Sequence, residues 1–292
     1  MTLVAILVVL ACERALSHAR AWRQWGWYER LLAWCRRVMP WRGLWAGSWG
    51  AIVLVAVPVA VTGWLQALLH TGVFGLLGFA FAAVVLLVCL GPRDVGEEVR
   101  ALLRALERGD RRGAERLAAD LSALPGEGGM PACASAATLA GGVLVQAHER
   151  LFGALLWFFA LGPVGAVLYR TVAALPGAAE SLGAGEPLQT TARQLHALVA
   201  WVPTHVLAIF YGLAGSTDDA LREWHAVTAR GGDWKRSVWF GLAAAGCGAL
   251  RVEPATPSSL PESLHRALAL IDRTLLLLLA VLGVLTLVGW LA

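Results

Sequence analysis

The sequence predicts an all-α fold, a polytopic α-helical integral membrane protein with about five transmembrane helices, an N-terminal apolar segment and a cytoplasmic helical hairpin. Three observations carry this. First, 58% of the 292 residues are hydrophobic and only 15% charged, against about 45–50% and about 25% in soluble domains. A single water-soluble core of this size cannot hold that excess, so the surplus must face lipid. Second, no Asp, Glu, Lys or Arg stands between Arg42 and Arg93. As helix that stretch is roughly 75 Å long, enough to cross a core of about 30 Å twice. Third, the arginines cluster in three segments, while the connections at 70–72 and 171–192 hold none. A secreted disulfide scaffold, a disordered chain and a nucleic-acid-binding domain are excluded by the same composition.

The first two spans are expected near Trp45–Leu69 and Val73–Gly91, with a turn at His70-Thr71-Gly72. Further uncharged runs are Leu151–Tyr169, Ala197–Gly215 and Thr274–Ala292, the last being the most apolar. Thr2–Cys12 covers only about 16 Å as helix. It is an interfacial or half-spanning segment, or spans by continuing through Glu13 and Arg14. Its lack of a basic stretch before the apolar run argues against a cleaved signal peptide.

Arginine distribution orients the spans. Residues 13–42 hold seven Arg, residues 92–150 eight, and residues 216–273 six plus Lys235, the only lysine among 24 basic residues. The connections at 70–72 and 171–192 hold none. The positive-inside rule puts the rich segments in the cytoplasm, and all five spans then alternate. The whole chain, 1–292, reads as one membrane domain. Inserted in it is a cytoplasmic hairpin at 94–123, and a cytoplasmic segment at 216–273 precedes the last span.

The hairpin reading rests on period. Asp94-Val-Gly-Glu97 has capping-box spacing, and Val99, Leu102, Leu103 and Leu106 recur as one helical stripe. Gly109-Asp110 punctuates, and Ala114, Leu117, Ala118 and Leu121 repeat the stripe. Gly126–Gly129 reads as a loop without the Lys and Ser/Thr of a phosphate loop. Glu253–Pro261 is a proline-rich linker. Gly162-Pro163 should kink or break the third span, and Pro203 the fourth.

Nothing in the sequence matches a metal or nucleophile motif, and no cofactor or metal is expected. The five cysteines form no CxxC pair and read as reduced thiols. Seven of the 14 Trp lie between Trp22 and Trp49 among arginines. A headgroup-level amphipathic segment explains them better than a ligand platform, and membrane lipids are the expected partners, possible other inner-membrane proteins aside. What remains is ionisable groups near membrane depth, which are candidate site residues by default. Arg170, with Tyr169, ends the third span, where snorkelling is the simpler explanation. His148 and Glu149 open that span, where a solvated helix start is the plain reading. His205 falls mid-span beside Pro203. A neutral His205 hydrogen-bonded to a neighbouring helix is the plain reading, and a ligand-binding role for these five residues the sharper one. His196 faces away from His205, nine positions off, so the two cannot share a metal. Asp218-Asp219 reads as a helix start after Ser216. From the broken spans the third and fourth helices are expected to pack around a polar cavity, with His205 inward and Arg170 closing the outer end around an anionic ligand.

Several segments, in order, resemble one family. Met1-Thr-Leu-Val with Glu13-Arg14 is similar to the start of AmpE proteins. So are the run Leu156-Trp-Phe-Phe-Ala-Leu-Gly-Pro-Val-Gly-Ala-Val-Leu-Tyr-Arg170 and the run Ala200-Trp-Val-Pro-Thr-His-Val-Leu-Ala-Ile-Phe-Tyr-Gly-Leu-Ala-Gly215. The resemblance implies an inner-membrane regulatory protein linked to β-lactamase induction and cell-wall-fragment sensing, non-catalytic, in a bacterial inner membrane. The layout also resembles the CobD/CbiB family of membrane adenosylcobinamide-phosphate synthases, which is the alternative reading; a structural or assembly subunit is the third. Those synthases carry an Asn and an Asp shortly after the Tyr-Arg that matches Tyr169-Arg170; here the positions are Ala173 and Pro176. Their acidic and amide group before the Phe-Trp motif falls on Val145, Gln146 and Glu149, and no His-Pro follows the N-terminal segment. The resemblance therefore implies a member with the fold but without the synthase chemistry.

Overall fold

The computed structural model describes residues 2–15, 32, 45, 47–69, 75–90, 95–125, 135–229, 233–251 and 260–289. Most of the Trp-rich segment, Asp94, the turn at 70–72, the 126–129 loop and most of the 253–261 linker lie outside them. The described residues are all-helical, without strands, and three helices are long and apolar enough to cross a membrane: Ser48–Leu69, Glu186–Ala214 and Leu260–Leu287. The protein is an α-helical membrane protein. The chain divides into two compact units, residues 1–92 with 153–200, and residues 93–152 with 201–292.

The first unit contains α1 (Thr2–Ala15), α2 (Ser48–Leu69), α3 (Gly75–Cys89), α7 (Gly153–Leu161), α8 (Pro163–Ser181) and the first half of α9 (Glu186–Ala214). Only 6% of the most apolar window of α2 is buried. Trp49, Val57, Val61 and Trp64 are exposed on it, so lipid must cover that surface. Its other face, with Ala51, Leu54 and Val55, packs against Val172, Leu175 and Ala179 of α8.

The break expected at Gly162-Pro163 is present: α7 stops at Leu161 and α8 restarts at Pro163. Gly162 makes the turn with φ +67°, a region costly to a residue with a Cβ. Proline at the first helical position donates nothing there. Gly165 and Ala166 both donate to the Gly162 carbonyl, which leaves the Val164 N–H. Gln66 of α2 takes it, Val164 N donating to Gln66 Oε1 at 3.3 Å. A glutamine in an otherwise apolar span is thereby explained, because in lipid a freed backbone group must find a protein partner.

Pro203 does not break its helix, which runs from Glu186 to Ala214. Proline removes the hydrogen bond to the carbonyl four residues back, here that of Val199. Trp157 Nε1 donates to this carbonyl at 3.0 Å. The helix survives because a tryptophan 42 residues earlier replaces the missing donor.

The second unit contains α4 (Val95–Glu107), α5 (Arg111–Ser122), α6 (Ala136–Ala147) with a π-helical turn at His148–Phe152, the rest of α9, α10 (Thr217–Ala229), α11 (Trp234–Leu250) and α12 (Leu260–Leu287). α6 is its axis: nine of its twelve residues are buried, and α5, α11 and α12 pack on it. Gly142 permits the approach of α5, since a Cβ there would sit 2.4 Å from the Leu121 carbonyl oxygen. α4 is amphipathic and buries Val95, Val99, Leu102 and Leu103. Asp110 caps α5 by accepting from Gly113 N.

The described residues of the 216–273 segment are largely helical. α10 and α11 form a helical hairpin within it, and α11 carries the apolar stretch Ser237–Leu250. At 14 residues the stretch is too short to register as a span beside 18-residue runs.

Replacing Trp157 with Phe, or Gln66 with Leu, should each destabilise the protein by about 1–2 kcal/mol, the cost of orphaning one backbone group. Trp157→Phe keeps most of the ring volume, so unfolding in detergent isolates the hydrogen bond. A Phe variant as stable as the wild type would refute the assignment.

Candidate functional site

Polar groups concentrate in the second unit, around the π-helical turn that follows α6. π turns inside α-helices are frequent at functional positions. Here the turn comprises His148, Glu149, Arg150, Leu151 and Phe152, so two of the sequence-predicted site residues lie in it. His148 and Glu149 do not open a solvated helix: the helix begins at Ala136, capped by Ser135, and His148 is fully buried. Its ring meets that of Trp239 at 5.9 Å, and its Nε2 lies 4.0 Å from Glu149 Oε1.

Arg150 organises the polar side of the turn. Its Nη1 donates to Glu98 Oε2 of α4 at 2.8 Å, and its Nε to Gln146 Oε1 at 3.2 Å. Gln146 Nε2 in turn donates to the Ala123 carbonyl just past α5. One chain of hydrogen bonds thus ties both helices of the hairpin to α6. On the other side, Tyr211 of α9 is fully buried and donates its hydroxyl to the Leu144 carbonyl at 3.0 Å, with its ring edge-on to Phe152.

His205 sits elsewhere in the same unit. It is half-buried, its Nδ1 is 2.7 Å from the Trp201 carbonyl, and its ring lies between those of Trp201 (4.2 Å) and Trp224 (4.9 Å). The hydrogen bond is to its own helix, one turn back, and not to the neighbouring helix that the sequence leads one to expect. Tyr169 and Arg170 belong to the first unit, adjacent on α8, Tyr169 buried and Arg170 half-buried. The structure therefore brings His148 and Glu149 together in one turn, sets His205 against two tryptophan rings, and places Tyr169 and Arg170 in the first unit.

Sequence reasoning missed the node formed by Asp219. Its carboxylate accepts from Ser216 Oγ at 2.6 Å and from Arg251 Nε at 2.8 Å, and also pairs with Arg222. Arg251 is the only non-glycine residue with positive φ (53°) among those described, in the left-handed cap of α11 where glycine is usual. The hydroxyl of Ser216 and then the Arg251 guanidinium hold the Asp219 carboxyl below the ordinary carboxylate range. Among the described residues no group of three His, Cys, Asp or Glu is placed to hold a metal.

These observations define an α-helical membrane protein whose described polar groups tie helices to one another. The chain belongs to the AmpE family: it matches the family described as "Regulatory signalling modulator protein AmpE" over residues 1–292. It is also 32% identical over 220 residues to the protein named "Cobalamin biosynthesis protein CobD" of Stutzerimonas stutzeri (strain A1501), a match covering 73% of this chain and 66% of that one. The chain thus spans about two thirds of that relative's length. No solved structure matches it.

Two outcomes follow. The side chains of Arg150 and Glu98 are only 19% and 12% exposed, and breaking a pair so buried strands a charge. Arg150→Leu should therefore cost on the order of 3 kcal/mol, and adding Glu98→Leu should recover part of it. A double variant less stable than the single one by a full further increment would show the pair to be uncoupled. For Asp219, a depressed folded pKa contributes stability above the unfolded value of about 4, lost as pH falls through the folded value. The stability gap between wild type and Asp219→Asn should accordingly narrow between pH 7 and pH 3, measured by thermal unfolding in detergent. An unchanged gap would contradict the linkage.

Proposed function

We propose that the protein is a non-catalytic regulator in the bacterial inner membrane, a multi-pass protein linked to β-lactamase induction and cell-wall-fragment sensing. The observation that carries this reading is the match to the AmpE family along the whole chain. Support comes from the positions at which the related synthases keep polar groups. Val145 is fully buried in the apolar interior, and Ala173 and Pro176 lie within α8, where neither offers a side-chain donor or acceptor. Binding Mg²⁺ and activating a carboxylate requires such groups. In this orientation the Arg-rich segments, the α4–α5 hairpin among them, face the cytoplasm. Lipids and other inner-membrane proteins are its partners.

The second reading, a synthase of cobalamin biosynthesis, is favoured by the likeness to the Stutzerimonas protein. The two separate in one experiment. Expressed in a strain lacking its own synthase, the chain should not restore growth under cobalamin limitation. Deleting its gene from the host should change β-lactamase induction by a β-lactam. Rescue of growth would overturn the regulatory reading.

A further inference from the structure

A cavity of about 860 Å³ opens in the second unit between α6, α10 and α11, within the size range of small-molecule sites. Its walls are three helix faces. α11 contributes Phe240, Ala243 and Cys247 at helical spacing and α6 contributes Thr138 and Gly141, the two helices meeting at the floor where Gly141 faces Ala243 and Cys247. The charges come from one face of α10 and the cap of α11: Asp219, Arg222, Glu223 and Arg251. An apolar chamber with a few convergent polar groups is the usual form of a ligand site.

The charges are arranged unequally. Asp219 is occupied on both oxygens, by Arg222 on Oδ1 and by Arg251 and Ser216 on Oδ2. It therefore serves as the strut that holds two guanidiniums side by side at the rim. Each guanidinium has five N–H donors, and the side chains of Arg222 and Arg251 remain 69% and 75% exposed, so donors are left for a second anion. Glu223, one position along the same face, takes part in none of these ion pairs and supplies an acceptor for a cation. Two guanidiniums, one engaged carboxylate and one further carboxylate make a lining of zero net charge but strong polarity.

We propose that this cavity binds a small zwitterion with an apolar body, a short peptide of small side chains. Its carboxylate lies on Arg222 and Arg251, its ammonium on Glu223, and its side chains against Phe240 and Ala243. Forked guanidinium–carboxylate bonding supplies the orientation. The left-handed backbone of Arg251 fits this role, because the cap position brings the end of α11 to the rim.

The test uses the purified full-length protein in nanodiscs with trialanine as probe. Binding is read by titration calorimetry, and its location by the alkylation rate of Cys247 in peptide-resolved mass spectrometry, with Cys89 as internal reference. Trialanine should bind and slow Cys247 alkylation. The N-acetylated and C-amidated forms should each bind roughly tenfold or more weakly, the scale of one lost charge-assisted contact. Glu223→Gln should weaken trialanine but leave the N-acetylated form unchanged, and Arg251→Gln should weaken trialanine but leave the amidated form unchanged. Ala243→Phe, which fills the chamber without touching a charge, should abolish binding. No binding, equal binding of the doubly capped peptide, or binding undiminished in Ala243→Phe overturns the proposal. Because the readout is on isolated protein, it stands or falls separately from the regulatory role.

Discussion

The lipid-embedded part of this protein depends on one constraint: a backbone group released from a helix has no water to turn to. Two helices violate the regular hydrogen-bond ladder, one at Gly162-Pro163 and one at Pro203, and each violation is repaired by a side chain from elsewhere. Gln66 and Trp157 are polar or amphipathic residues in apolar runs, and their placement would be costly anywhere else on those helices. With the repairs in place α8 folds back along α7, where Gly153 meets the Tyr169 ring and Gly165 the Trp157 carbonyl, and packs on α2, which creates the core of Val55, Val172 and Leu175. Without them, neither the break nor the unbroken proline helix is a stable solution in hydrocarbon.

The second unit follows a different logic. α6 is small-faced and almost wholly buried, so its neighbours approach closely and the unit has little room for polar side chains at its axis. Polarity is pushed to the ends: to the π turn, where Arg150 gathers Glu98 and Gln146, and to the rim where Asp219 gathers two arginines. The buried hydroxyl of Tyr211 obeys the same rule, spending its proton on a helix carbonyl. In both units the ionisable residues mostly hold helices together.

Much of this was legible in the sequence. Class, the long apolar runs and the hairpin follow from composition, charge gaps and period, and the Gly-Pro break from two residues whose backbone demands are local. Pro203 was misread for a reason that is not local: the donor that rescues its helix stands 42 residues away. The start of α10 was legible at Asp218-Asp219, whereas α11 was hidden because it is too short for a hydropathy signal. For the site, the ionisable residues were found but their settings were not. His148 and Glu149 looked like a wet helix start because the π turn has no local sequence signature and the ring that His148 meets, that of Trp239, comes from a distant segment. The cavity was invisible, since small residues at helical spacing read as ordinary packing, and the Asp219–Arg251 pair joins residues 32 apart.

The Asp219 node has a consequence for how damage spreads. One carboxylate is served by two guanidiniums, so the cationic side is redundant and the anionic side is not. Drift at either arginine leaves Asp219 compensated by the other, although Arg251 alone of the two ties α10 to the end of α11. Drift at Asp219 releases two like charges next to each other at once. The same contact is thus tolerant when approached from one partner and brittle when approached from the other, an asymmetry set by stoichiometry rather than by the strength of either bond.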